Sequence, residues 1–198
     1  LWTFDPQVPR EYGRYACCEP VARGLAMWKG KIIIATLDGR LIGIDAKSGK
    51  QVWSVQTTPK DMPYTITGAP RVFDGKVVIG NSGGDMGIRG FVSAWDAETG
   101  KKLWQFYLTP GDPAKGPDGE ASDNVMEMIR KTWSGDYWKL GGGANAWDSI
   151  GYDPALKLVY IGTGNGSPLS WHHRSGGKGD NLFVCSIVAV HAETGKYA

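Results

Sequence analysis

The segment Ile44-Asp45-Ala46-Lys47-Ser48-Gly49-Lys50-Gln51-Val52-Trp53 returns as Trp95-Asp96-Ala97-Glu98-Thr99-Gly100-Lys101-Lys102-Leu103-Trp104. This repeat constrains the fold more than any other feature of the chain. Leu1-Trp2 falls one further period upstream and matches the last two positions. Val190-His191-Ala192-Glu193-Thr194-Gly195-Lys196-Tyr197-Ala198 is a third copy, stopping where the tryptophan would stand. In each unit a strand such as Arg40–Asp45 runs into a turn, where glycine supplies positive φ and Asp, Ser or Thr bonds the backbone. A second strand then carries the tryptophan. Apolar runs precede these turns: Lys31 to Thr36, Lys76 to Gly80 and Leu156 to Gly162. Four short strands per unit at a period of about 40–50 residues is the pattern of a β-propeller blade. The expectation is an all-β chain carrying about three blades over residues 1–198, part of a ring of typically four to eight. It reads as a section of a longer protein, begun at the end of one unit and stopped short of finishing another.

Composition agrees with that reading. Nine tryptophans and 29 glycines point to tight turns and aromatic docking rather than helices. With 41% hydrophobic and 21% charged residues the chain is globular. Its longest apolar runs are far too short to span a bilayer as a helix. A net charge of +2 gives no electrostatic reason to propose a nucleic-acid partner.

An insertion from about Thr109 to Ala146 interrupts the third unit. Its proline- and glycine-rich opening is loop, and Ser122 to Lys131 is expected to form a short helix capped by Ser122 or Asp123. The aromatics between Trp133 and Trp147 argue for ordered packing, and an insertion of this length is commonly functional or a cover over one face.

Cys17-Cys18 is a rare doublet, and Cys185 is the only other cysteine. Bonding the two would close an eight-membered ring whose Cα atoms lie about 3.8 Å apart, below the usual disulfide range of about 4.4–6.8 Å. Strain of that kind persists where the surroundings enforce it, often at a functional site. The doublet alone favours the plainer reading of two thiols, one buried and one exposed, or a chance pair.

Taken together these segments resemble the quinoprotein alcohol dehydrogenases, which use pyrroloquinoline quinone (PQQ) and calcium on an eight-bladed propeller. The likeness covers nearly the whole chain. The repeats match that family's tryptophan-docking units but are shared by non-catalytic propellers, so the specific signals are the other segments. The resemblance implies that Cys17 and Cys18 form a ring disulfide on one face of PQQ and that Arg23 pairs with a cofactor carboxylate. In Thr65-Ile66-Thr67-Gly68-Ala69-Pro70 it gives Thr67 a bond to the quinone system. In Asn81-Ser82-Gly83-Gly84-Asp85-Met86-Gly87 it gives Ser82, Gly83 and Gly84 cofactor contacts and Asp85 a metal bond, where relatives usually have glutamate. In Gly141-Gly142-Gly143-Ala144-Asn145-Ala146-Trp147-Asp148 it stacks Trp147 on the other cofactor face. Asn145 there departs from the common threonine. Asn165 of Gly162-Thr163-Gly164-Asn165-Gly166-Ser167-Pro168 becomes the second metal ligand.

Calcium takes about six to eight oxygens, so cofactor oxygens must complete the shell. The implied chemistry is hydride transfer from a primary or secondary alcohol or a polyol, with the metal as Lewis acid. Cytochrome c or a quinone would be the electron acceptor, the location would be the periplasm, and the whole protein has scope for membrane association. The family's general base is an aspartate expected past Ala198, so none of the residues 1–198 is assigned a catalytic role; Asp148 and Asp153 fall in strand and turn positions. His172-His173 reads as loop, since adjacent side chains on an extended segment point apart. Cys185 reads as a buried strand thiol. The alternative to an enzyme is a non-enzymatic PQQ-like propeller serving as a binding scaffold, and a thiol oxidoreductase lacks the Cys-x-x-Cys spacing.

Overall fold

The computed structural model describes every residue from Leu1 to Ala198. β1 (Leu25–Trp28), β2 (Lys31–Ala35), β3 (Arg40–Asp45) and β4 (Gln51–Gln56) form an antiparallel sheet in chain order. β5 (Arg71–Phe73), β6 (Lys76–Gly80), β7 (Phe91–Asp96) and β8 (Lys102–Tyr107) repeat it, down to a register shift at Gly43/Ile44 and again at Ala94/Trp95. The insertion holds α1 (Met126–Arg130) and ends in β9 (Gly142–Gly143). β10 (Ile150–Asp153), β11 (Leu158–Gly162), the short β12 (Gly166–Ser167), α2 (Trp171–Ser175) and β13 (Ile187–His191) follow. β10, β11 and β13 make a third, three-stranded sheet, while β12 pairs with β9. The chain is thus mostly short antiparallel strands, as the repeat period requires.

β6 shows how the sheets stack, because all five of its residues are buried. Successive side chains of a strand point to opposite faces. Val77 and Ile79 pack with Ile33, Leu41 and Trp53 of the first sheet. Val78 packs the other way, with Val92, Trp104 and the Val159, Ile161, Val188 and Val190 of the third sheet. The second sheet is sandwiched between its neighbours, which is blade-on-blade packing.

The repeat signature is the device that joins blades. A Cβ added to Gly49 would stand 2.5 Å from the Trp2 ring, one on Gly100 2.9 Å from Trp53, and one on Gly195 2.5 Å from Trp104. Each tryptophan lies on the glycine of the following unit, and only a residue without a side chain permits the contact. Trp2 and Trp104 also donate Nε1–H to the carbonyls of Ala46 and Ala192, at 3.0 and 2.9 Å. The turns beneath are braced by Asp45 and Asp96, whose Oδ1 atoms accept from backbone N–H and hydroxyl of Ser48 and of Thr99. Those bonds to the charged form hold both carboxyls below the usual aspartate range.

Three local expectations need correction. Residues Ser122 to Lys131 do not make one helix: a 3₁₀ turn over Ala121–Asn124 gives way to α1. Asp123 turns back to accept from the N–H groups of Asp118 and Gly119 instead of capping, and Ser122 is buried without a hydroxyl partner. His172 and His173 sit on α2, nucleated by the Ser170 hydroxyl accepting from His173 N–H and closed by Gly176 in the left-handed conformation. Cys185 is exposed, on a turn at φ 48° ahead of β13, because the strand starts only at Ile187. The aromatics of the insertion do pack: Trp133 and Tyr137 join the large core, and Trp133 Nε1–H donates to Leu182 O at 2.7 Å.

Candidate functional site

All ten residues that the resemblance assigns to cofactor or metal line one cleft of about 280 Å³, near the lower end of the range of about 300–1,000 Å³ common for ligand sites. Three backbone segments build it. Ser82 N–H donates to Thr65 O at 2.7 Å, fastening the β4–β5 connection to the loop after β6. Gly90 N–H donates to Gly143 O at 2.8 Å, and Ala144 N–H to Asn165 O at 2.9 Å, fastening that loop to β9 and β9 to the residues before β12. Gly143 sits where these backbones come closest: it has positive φ, and a Cβ would stand 2.6 Å from Asn165 O and from Ser167 N. The glycine run near the end of the insertion is therefore a crossing point for main chains rather than a hinge.

One wall carries Cys17 and Cys18, joined by a disulfide with Cα atoms 3.8 Å apart. Both are exposed to the cleft side, on an irregular segment between a 3₁₀ turn (Arg10–Tyr15) and β1. That segment is pinned at Arg23, whose backbone N–H and Nη1 both donate to Thr67 O, at 3.1 and 3.2 Å. The Arg23 guanidinium lies 4.9 Å from the centre of the Trp147 ring. Trp147 is 44% exposed, with its indole open to the cleft rather than packed in a core.

The floor is hydroxyl-rich. Thr67 and Ser82 share a hydrogen bond at 2.8 Å, and the buried Thr65 hydroxyl has no partner. Gly83 and Gly87, both left-handed, bracket a 3₁₀ turn over Gly84–Met86 that lifts Asp85 to the surface. Asp85 does not cap this turn. Its Oδ1 instead accepts from Asn165 Nδ2 at 3.3 Å.

Asn145 is the residue that sequence reasoning left without a role. It is 3% exposed, it lines the cleft, and neither its Oδ1 nor its Nδ2 has a partner. Only the change from a hydroxyl to an amide at this position signalled it. Beneath the site, Tyr64 is buried and donates to Arg89 O at 3.0 Å. Loss of water around the phenol pushes its pKa up to about 12.

The three stacked sheets and their tryptophan–glycine contacts define part of a β-propeller, with a cleft lined by an indole, a disulfide, hydroxyls and a carboxylate–amide pair. The family described as "PQQ: Glucose/ethanol/alcohol dehydrogenase, beta-propeller domain" matches residues 1–198, and the chain belongs to it. It is 55% identical over its whole length to quinohemoprotein alcohol dehydrogenase ADH IIB of Pseudomonas putida, and spans 28% of that protein. The solved structure of quinohemoprotein alcohol dehydrogenase ADHIIG from Pseudomonas putida HK5 superimposes with a TM-score of 0.94 at 55% identity, covering all of this chain and 28% of that one. A europium-containing methanol dehydrogenase superimposes with a TM-score of 0.83 at 38% identity, covering 99% of this chain and 34% of that one. The chain thus spans little more than a quarter of its alcohol dehydrogenase relatives.

The residues present suit such a ligand and a hard cation. Unpartnered oxygens at Thr65 and Asn145 await a donor or an ion, and Asp85 and Asn165 offer the carboxylate and amide oxygens that calcium prefers. No three His, Cys, Asp or Glu side chains gather anywhere in the chain, so a cation here depends on amides and on ligand oxygens.

Proposed function

We propose that this chain is the cofactor-holding part of an eight-bladed, PQQ- and calcium-dependent dehydrogenase that oxidises a primary or secondary alcohol or a polyol. The observation that carries the reading is that one cleft gathers Cys17, Cys18, Arg23, Thr67, Ser82, Gly83, Gly84, Trp147, Asp85 and Asn165 from segments up to about 150 positions apart. When bound, the quinone accepts the hydride equivalent of the alcohol and the cation polarises it for that transfer.

The chain's own residues orient and hold. Trp147 and the Cys17–Cys18 ring both line the cleft, and on this reading a planar ring system stacks between them. Arg23, held by Thr67 O and lying beside Trp147, offers its remaining donors to a ligand carboxylate. Thr67 and Ser82 can redirect their shared hydroxyl bond to ligand oxygens, and the small Gly83 and Gly84 let backbone amides come close. Asp85 and Asn165 hold the cation. A methanol dehydrogenase of the same fold is europium-containing, in keeping with a hard cation in this reading. The proton of the alcohol passes to a base that we do not assign within residues 1–198.

Electrons would leave to cytochrome c or a quinone, in keeping with the joined quinone and haem in the relatives' names. A periplasmic location follows from the same family reading and from the disulfide, which persists in oxidising compartments. The test is the absorption spectrum of the full protein before and after adding PQQ with calcium, followed by alcohol. Retained cofactor absorbance that bleaches to the reduced form with alcohol supports the enzyme. Cofactor that is not retained, or is retained and never reduced by any alcohol, overturns it in favour of a binding scaffold.

A further inference from the structure

We infer that Asn145 supplies an oxygen to the cation beside Asp85 and Asn165, and turns its amide N–H groups to the anionic edge of the cofactor. The inference rests on the PQQ- and calcium-binding reading above. Asn145 is 97% removed from solvent, it borders the cleft, and both polar atoms of its side chain lack a partner. Buried polar groups are almost always paired, so an orphaned amide beside a cleft marks a missing ligand or ion.

Its place in the chain points to the ion. A Cβ added to Gly84 would stand 2.5 Å from Asn145 Oδ1, so that oxygen lies directly against the residue preceding Asp85. On its other side, Asn145 O accepts from Gly164 N–H at 3.0 Å, and the neighbouring Ala144 N–H donates to Asn165 O at 2.9 Å. Asn145 is therefore strapped between the two segments that carry the metal-holding pair.

The chemistry fits that place. Calcium requires about six to eight oxygens, and Asp85 with Asn165 offers three at most. An amide can give an oxygen to a cation and N–H donors to an anion at once, which a hydroxyl of shorter reach does less well. Asp85 carries its carboxylate one methylene closer to the backbone than a glutamate would. Oxygen supplied by the longer Asn145 restores reach on the facing side, and Gly84 leaves the space for it.

The test uses the full protein, with PQQ absorbance retained after equilibrium dialysis measured against calcium concentration. The variants are Asn145→Ala, Asn145→Ser and Asn145→Asp, each checked for wild-type circular dichroism. Loss of an outer-shell partner alone typically costs roughly 10–100-fold in metal affinity, so Ala and Ser should each raise the calcium midpoint on the order of tenfold or more. Asp keeps the oxygen, adds charge and removes the N–H donors, and should leave the midpoint unchanged or lower it. An unchanged midpoint in Ala and Ser overturns the inference. So does a midpoint raised in Asp as far as in Ala, because the amide would then serve the cofactor alone. Failure of the wild type to retain PQQ at any calcium concentration would instead overturn the parent reading.

Discussion

Asn165 Nδ2 donates to the Asp85 carboxylate across 3.3 Å, although the two residues are 80 positions apart and reach the cleft from different blades. Neither is held by a lysine or arginine there: the nine ion pairs of the chain leave Asp85 out. A carboxylate whose only side-chain partner is a neutral amide has no cationic side chain competing for its oxygens, and the amide needs only a half-turn to present its own.

Asp85→Ala should therefore raise the calcium needed for cofactor retention by at least about tenfold, as expected for removal of an anionic ligand. Asp85→Glu should keep it. Calcium titration of PQQ absorbance in the full protein is the measurement, and equal midpoints for wild type and Ala would remove Asp85 from the site.

Two tryptophans should answer in opposite ways. Trp104 is 4% exposed and docked on Gly195, so Trp104→Ala should cost about 3–5 kcal/mol in denaturant unfolding. Trp147 is 44% exposed and lines the cleft, so Trp147→Ala should cost far less in unfolding than Trp104→Ala while weakening PQQ binding. Comparable destabilisation by both would assign Trp147 to the core.

Thiol counting tests the cysteines. Within residues 1–198, peptide mapping of alkylated native protein should find label at the exposed Cys185 alone, and at Cys17 and Cys18 only after reduction. The unreduced peptide around Tyr15 to Arg23 should lack two hydrogens. Label on Cys17 and Cys18 without reductant would exclude the ring.

Tyr64 sets an alkaline limit. An unfolded phenol loses its proton near pH 10, whereas the buried one keeps it to about 12. The unfolded chain then binds fewer protons in that window, so stability is fully present below pH 10 and falls as pH rises towards 12. A shift of two pH units corresponds to about 2–3 kcal/mol. Tyr64→Phe should forfeit about 1 kcal/mol of hydrogen bonding at neutral pH, but should show a flatter decline above pH 10 in parallel unfolding curves. The other buried tyrosines act equally in both proteins. An identical slope would show that Tyr64 is not the phenol responsible.

The blades were legible in the sequence because the same residues fix turn, strand and docking surface at once: glycine with positive φ, aspartate bracing it, tryptophan covering the next glycine. Arg40–Asp45 was read as a strand to the residue. The short motifs singled out in the sequence, though distant along the chain, come together as the lining of one cleft. What escaped depended on contacts that no local pattern records. The helix at His172 is one turn long and owes its existence to Ser170 and Gly176, not to periodicity. Cys185 lies in an apolar-looking run, yet the Thr163 hydroxyl bonds Phe183 O and Ser186 N–H and holds that run in turns until Ile187. Asn145 looked like a mere departure, because its lack of partners exists only once three distant segments have met.

The tryptophan–glycine contacts also impose a schedule on synthesis. A chain leaving the ribosome presents Trp53 well before Gly100, and Trp104 long before Gly195. Each blade therefore emerges with its indole uncovered and must wait for the turn of its successor. For the second blade that wait spans the entire insertion, whose own Trp133 and Tyr137 join the same core as Trp104 and can shelter it in the interval. Nascent-chain lengths at which Trp104 becomes protected should accordingly track the emergence of the insertion first and of Gly195 second.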